Sequence, residues 1–167
     1  MAIGKDWSLT ALSPLVKVGA KGGTVKQDTK PVHTLTAKVS GTSKTGPSTK
    51  DVLASLEKEL SWKHLARPGT RTTSAPAVLW QNEFDGKAQS AAYVGHHTVT
   101  ADYRYTCGKT TAKGRVVTWA QQSTHSGGIN CLEPRTDQID TGEDSDVLAE
   151  QAIAERCAKN SPARKAA

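Results

Sequence analysis

Residues 98–107, Thr-Val-Thr-Ala-Asp-Tyr-Arg-Tyr-Thr-Cys, are the stretch of this chain that decides its fold. Every second residue from Val99 to Cys107 is apolar or aromatic, and the residues between them are polar. Ten residues with a period of two, rich in Val, Thr and Tyr, predict a β-strand that buries one face.

Further strands are predicted on both sides of this one. Residues 115–121 follow a loop at 108–114 and carry Val117 and Trp119 on one face, and residues 129–132 follow a turn at 126–128. Three strands joined by short glycine-containing segments indicate an antiparallel meander. Residues 31–39, 77–80 and 91–94 are predicted to be strands as well, the last two in the same sheet.

Two helices complete the predicted fold. One begins at Ser48, with Asp51 three residues later, and runs to about Leu65 before Pro68. The other begins at Asp144 or Ser145 and buries Leu148, Ala149, Ala152, Ile153 and Cys157. The predicted class is α+β: an antiparallel β-rich body, either a sandwich or a curved sheet, with an internal helix, a C-terminal helix and an extended N-terminal arm.

The N-terminal 30 residues are predicted to form this arm, outside a single β-rich domain at 31–160 and before a flexible tail at 161–167. Gly, Lys and Thr dominate residues 19–30, which offer too little apolar surface to fold alone. The arm is either a disordered tail or a segment that adds a strand to a partner protein. Its candidate partner-binding residues are Trp7, Leu9, Leu12, Leu15, Val16 and Val18.

Net charge and hydropathy narrow the possible functions. The 167 residues carry 22 Lys and Arg against 16 Asp and Glu, and the first 50 residues hold eight lysines against two aspartates. The whole excess of +6 therefore lies in residues 1–50, which weakens the hypothesis that the folded body binds nucleic acid. No apolar run reaches the ~18 residues of a membrane-spanning helix, so no membrane span is predicted.

Three cysteines allow one disulfide with one thiol left over. Cys107 and Cys131 lie on the apolar sides of two predicted strands, and we expect them to pair. Cys157, at the end of the C-terminal helix, competes for Cys131, so three alternative pairings remain open.

The segment Tyr103-Arg-Tyr-Thr-Cys107-Gly, the second cysteine Cys131 and the Leu-Ala-x-x-Ala helix ending at Cys157 resemble small secreted proteins of actinobacteria. Those proteins are β-rich, disulfide-bonded and often of unknown function. The resemblance covers residues 98–158 and implies an extracellular location. Lys5 and Asp6 stand where the apolar part of a secretory signal would begin, so a virion or the cytoplasm is the alternative.

Motifs that would indicate catalysis or a cofactor are incomplete. Gly108-Lys109-Thr110 lacks the earlier glycine of a phosphate-binding loop, because position 103 is Tyr. Adjacent histidines at 96–97 would point to opposite faces of a strand. A nucleophilic set of Cys107 or Cys131 with His125 and Asp102 has nothing local to activate the thiol, and the acids at 137–146 lack calcium-loop spacing. We therefore predict no enzyme activity, cofactor, metal or small-molecule substrate.

The predicted function is that of a non-catalytic structural or adaptor subunit of an extracellular or particle-like protein assembly, bound to a protein partner through the arm. The alternative is a virion structural or nucleic-acid-associated protein. Its lysine arm would contact phosphates without sequence specificity, since the arm has no arginine for base edges and Trp7 alone for stacking.

Overall fold

The computed structural model describes residues 1–72, 79–139 and 143–165, except the side chains of Leu79 and Trp80. Strands make up 48% of the described residues and helices 19%, and the sheets are open and mostly antiparallel. The predicted α+β, β-rich class is therefore confirmed.

In the described part of the chain, ten strands form three sheets. They are β1 (Ala2–Leu12), β2 (Val16–Val18), β3 (Gly23–Asp28), β4 (Lys30–Pro31), β5 (Leu35–Thr36), β6 (Lys38–Val39), β7 (Arg71–Thr72), β8 (Leu79–Phe84), β9 (Ala88–Cys107) and β10 (Thr110–Asn130). The main sheet has the order β4-β1-β9-β10-β6, and β2 also pairs with β9. Two further sheets have two strands each, β3 with β8 and β5 with β7. The predicted strand at 77–80 corresponds to the start of β8, while residues 77 and 78 lie outside the described residues. Its predicted place in the sheet of residues 91–94 is wrong, because β8 pairs with β3 in a separate sheet.

The described helices are α1 (Thr49–Leu60), α2 (Thr136–Ile139), α3 (Asp146–Arg156) and a 3₁₀ turn at Pro162–Arg164. Ser48 caps α1 as predicted, since its hydroxyl accepts a hydrogen bond from the Asp51 N–H at 3.1 Å. The helix ends at Leu60, five residues before the predicted end. The chain then pairs with β10 instead, and the Ala66 N–H donates to the Trp119 carbonyl at 2.9 Å.

The two long strands β9 and β10 form a hairpin with a tight turn at Gly108, whose φ is +58°. The predicted loop at 108–114 is only a two-residue turn at 108–109, since β10 begins at Thr110. The predicted turn at 126–128 is wrong, because β10 runs through it. A Cβ atom on Gly114 would lie 2.5 Å from the hydroxyl of Tyr103, and one on Gly127 would lie 2.5 Å from that of Tyr93. These glycines leave space for tyrosine rings and do not turn the chain.

The chain divides into two compact units, which differ from the predicted boundaries. The first unit comprises residues 1–6, 35–72 and 96–124. Its core brings one side of α1 against β9 and β10. The buried residues there are Val52, Leu53, Leu56, Leu65, Val99, Ala101, Tyr103 and Val116.

The second unit comprises residues 7–34, 73–95 and 125–167. Its core joins β1 and β9 to α3, whose predicted apolar face is confirmed: Leu148, Ala149, Ala152 and Ile153 are all buried. A Cβ on Gly95 would lie 2.3 Å from a methyl group of Leu148, so the helix packs closely on the strand at this point.

The predicted N-terminal arm does not exist as a separate element. Residues 2–12 form β1 between β4 and β9, and Leu9 and Leu12 are buried in the second unit's core. Gln151 of α3 accepts a hydrogen bond from the Leu9 N–H at 3.0 Å and donates one to the Trp7 carbonyl at 3.2 Å. The prediction of a separate arm is wrong because the strand that covers β1, β9, is about 80 residues away in sequence and leaves no local signal.

The six proposed partner-binding residues serve this chain's own fold. Trp7 and Leu15 pack against the same core as Leu9 and Leu12. Val16 and Val18 belong to β2, where they pair with residues of β9. Their apolar character therefore does not indicate a partner protein.

The predicted flexible tail at 161–167 is also ordered over its described part. Ala163 is fully buried, and its N–H donates to the Cys131 carbonyl at 3.3 Å. The Arg164 guanidinium donates to the Cys157 carbonyl at 3.4 Å. Residues 166 and 167 lie outside the described residues.

The disulfide joins Cys131 to Cys157, with 5.3 Å between their Cα atoms, and Cys107 is a free, exposed thiol. The predicted Cys107–Cys131 pair is therefore wrong. Cys107 ends β9 at the hairpin turn of the first unit, whereas Cys131 and Cys157 meet in the core of the second. None of the described helices is long and apolar enough to span a membrane.

We expect the C131A/C157A variant to lose about 3 kcal/mol of unfolding free energy, because the bond closes a loop with a sequence separation of 26. Urea denaturation of both proteins measures this loss. Cys107→Ser is the control and should leave the stability unchanged. Peptide mapping without reductant that recovers a Cys107–Cys131 peptide would contradict the pairing.

Candidate binding surface

Positive charge is concentrated in one of the two units. The first unit carries 12 Lys and Arg against 5 Asp and Glu, a net +7, and the second carries 10 against 11, a net −1. Lys17, Lys21, Lys26 and Lys30, which made the first 50 residues appear basic, belong to the second unit. The excess charge therefore lies in the folded first unit and not in an arm.

One face of the first unit's sheet is covered and the other is open. The odd-numbered residues Val99, Ala101 and Tyr103 of β9 pack against α1. The even-numbered residues of this part of β9 point to the opposite side of the sheet, where Asp102 and Arg104 are exposed. The polar half of the alternation in residues 98–107 thus forms a solvent-facing surface.

An ion pair crosses this open face. The Arg115 guanidinium donates to both oxygens of Asp102, at 2.7 Å through Nε and 3.1 Å through Nη2. The two side chains are 61% and 55% exposed. These hydrogen bonds, together with the charge of Arg115, hold the pKa of Asp102 below its ordinary value. The same hydrogen bonds, together with the charge of Asp102, raise the pKa of Arg115. The geometry is bidentate, the arrangement that guanidinium groups also make with phosphate.

The hairpin register brings like charges together beside this pair. β9 ends at Cys107 and β10 begins at Thr110, so the turn between them has two residues. From this turn and the Asp102–Arg115 ion pair we infer a register in which Arg104 lies opposite Lys113 on the same face. On the other side of β10, Lys38 of β6 lies opposite the exposed Val117. We call this surface the cationic face; it consists of Lys38, Asp102, Arg104, Lys113, Arg115 and Val117.

Like charges directly opposite each other on a sheet reduce stability. Arg104 and Lys113 are therefore not placed there by the needs of the fold. Asp102 compensates only one of the four cations. Asp6 of β1 lies near Thr98, whose hydroxyl donates to the Asp6 carbonyl at 3.0 Å, and Thr98 is six residues, about 20 Å, from Arg104 along β9.

A second cluster in the first unit contains aromatic rings. Trp62 and His97 lie with ring centroids 4.3 Å apart, and the Lys5 ammonium is 5.8 Å from the Trp62 centroid. A neighbouring cleft of about 280 Å³ is lined by these rings and by His64. Since Lys5 and His97 already contact the Trp62 ring, contacts within the unit account for this cluster.

A cleft of about 420 Å³ in the second unit has a polar lining that includes Glu83, Asp85, Asn130, Glu133 and Gln138. Gln138 and Asn130 use their amides on backbone groups, for example from the Asn130 N–H to Gln138 Oε1 at 2.8 Å. Among the described residues, no three His, Cys, Asp or Glu side chains are grouped as a metal site requires.

Of the candidate nucleophilic residues, Cys107 is a free, exposed thiol, and the other three have structural roles. Cys131 is oxidised in the disulfide, and Asp102 is held by Arg115. His125 packs against Trp7 and Tyr93, with ring centroids 6.0 and 6.3 Å away. Of the acidic loop at 137–146, Asp140 lies outside the described residues.

Comparison with known proteins adds no relative. No family model matches the chain, and no curated protein or solved structure matches it. Its function is therefore inferred from its own residues.

The cationic face escaped prediction because its residues are distant in sequence. The alternation at residues 98–107 places Asp102 and Arg104 on the polar side of a strand, and the predicted loop at 108–114 includes Lys113. The one local signal is the alternation Lys113-Gly-Arg115-Val-Val117. It identifies a shared face only if residues 113–117 are already known to be a strand.

Adjacent histidines provide a test of the strand geometry in this unit. His96 is 2% exposed while His97 is half-buried, the reverse of the alternation at residues 99–104, so the one-sided burial of those residues does not extend to the histidines. Burial removes water from the His96 imidazole and lowers its pKa.

We expect the free energy of unfolding to fall as the pH drops below about 6.5, the ordinary pKa of histidine. In this range His96 binds a proton in the unfolded chain but stays neutral in the folded protein. The loss should level off below the folded-state pKa. NMR titration of the imidazole and urea denaturation at pH 7.5 and 5.5 measure both quantities. His96→Gln should reduce this pH dependence, and the exposed control His64→Asn should retain it. A His96 pKa above the ordinary value would contradict the assignment.

Proposed function

We propose that the protein is a non-catalytic structural subunit of a particle-like assembly, and that its first unit binds nucleic acid through the phosphates without reading the base sequence. The observation that carries this proposal is the segregation of charge, +7 on one compact unit and −1 on the other. A field of one sign over one unit attracts a polyanion and orients its approach.

Nucleic acid is favoured over a protein partner because of what each partner would need. A partner protein was expected to bind the apolar residues of an N-terminal arm, but Leu9 and Leu12 are buried in this chain's own core. A phosphate backbone can be bound by exposed lysine and arginine side chains alone, and the first unit has such side chains on its surface.

The Cys131–Cys157 disulfide supports a location of this protein in an oxidising environment. Bonds of this kind persist in secreted proteins and on virion and cell surfaces. We therefore propose an extracellular or particle location for the mature protein, with the Cys131–Cys157 bond as its support.

The proposal predicts salt-sensitive binding of the full chain to nucleic acid. With three to four phosphate contacts, the affinity for a labelled duplex DNA should fall roughly a hundred-fold between 50 and 200 mM salt. Fluorescence anisotropy measures this, and a duplex of shuffled sequence should bind equally well. Absence of binding at 50 mM salt would overturn the proposal.

A charge-matched variant separates the two units. Lys17, Lys21, Lys26 and Lys30, all exposed in the second unit, are changed together to Gln. We expect this variant to keep at least a third of the affinity, since the bound phosphates lie on the first unit. A loss as large as the salt effect would show that the second unit holds the nucleic acid.

A further inference from the structure

We infer that the cationic face is the nucleic-acid site, that it takes a duplex, and that Asp102 limits its affinity by holding Arg115. This inference rests on the proposed function and adds to it a surface, a ligand form and a residue that controls affinity. It uses only the residues of β6, β9 and β10 named above.

The first support is the uncompensated charge of the face. Arg104 and Lys113 lie opposite each other, and Arg104, Lys113 and Lys38 are all exposed. Cations opposed in this way repel each other in the free protein. A phosphate between them relieves that repulsion, so part of the binding free energy comes from strain that the fold already carries.

The second support concerns the form of the nucleic acid. Proteins that bind single strands provide aromatic rings on which bases stack. Tyr103 is turned toward α1, and Tyr105 packs against the same core. On the open side of β9 and β10 the neighbours of the cations are Thr100, Thr106 and Val117. Trp119 follows Val117 on the same face, but it is only 2% exposed and packs against Ala37 and Ala66, so it offers no ring for stacking. Such a surface contacts a phosphate backbone, which a duplex presents on its outside.

The third support is the Asp102–Arg115 pair. Its bidentate hydrogen bonds occupy the guanidinium edge that a phosphate would use. The carboxylate also places a negative charge within the face. A bound phosphate therefore competes with Asp102 for Arg115, and neutralising Asp102 makes both the guanidinium and one unit of charge available.

Two variants with equal loss of charge test the surface. R104Q/K113Q removes the opposed cations, and K50Q/K58Q removes two exposed lysines of α1, which covers the other side of the sheet. We expect R104Q/K113Q to weaken duplex binding at least tenfold and to reduce the salt slope by about two. The α1 variant should weaken binding no more than threefold.

Asp102→Asn tests the control of affinity. We expect it to tighten duplex binding about threefold to tenfold at 100 mM salt, with the duplex preferred to a single strand of the same length. An exposed ion pair contributes little to stability, so the variant should fold normally, and its thermal unfolding checks this.

Each failure has a separate meaning. If the parent chain binds no nucleic acid but binds an acidic protein such as a polyglutamate-rich carrier, the proposed function itself is wrong. If the parent binds DNA and the two double variants weaken it equally, the nucleic-acid function stands and the cationic face is wrong. Unchanged affinity of Asp102→Asn overturns the role of Asp102, and tighter binding of a single strand overturns the duplex.

Discussion

Pairing between the two long strands β9 and β10 is the constraint on which the rest of this structure depends. The hairpin lies at the centre of the main sheet and supplies residues to both compact units. Strands of 20 and 21 residues can remain in register only if bulky side chains find room across the pair. Gly114 and Gly127 provide that room for Tyr103 and Tyr93. The glycines are therefore part of the pairing, and a side chain at either position would displace a ring from the core.

Those same glycines explain where sequence analysis succeeded and where it failed. The alternation at 98–107 and the cap at Ser48 are local patterns, and the structure contains both. Gly127 looks like a turn residue because turns are the commonest local reason for glycine in a β-rich chain. Its actual reason, the Tyr93 ring, is 34 residues away in sequence. A partner at such a distance leaves no signal in the neighbouring residues.

The N-terminal segment and the charge distribution failed for a related reason. Counting charge along the chain assigns the excess to residues 1–50, yet each compact unit is assembled from three separate segments. When the same residues are grouped by compact unit, four of the eight lysines fall in the second unit, which is nearly neutral, and the first unit is strongly positive. The apolar residues of β1 likewise appeared to need an external partner because the strand they pair with, β9, is distant in sequence. Linear composition is thus a poor guide when segments interleave.

The cationic face is best understood as a surface that folding alone does not explain. An exposed ion pair such as Asp102–Arg115 contributes little to stability, and the like charges of Arg104 and Lys113 reduce it. A sheet that needed only solubility would alternate charges of both signs. Here one carboxylate holds one guanidinium while three cations remain uncompensated on the same face. Lys38 lies on the edge strand β6, where a charge discourages pairing with another chain. Arg104 and Lys113 give the fold no such gain, and the anionic ligand that we propose would account for them.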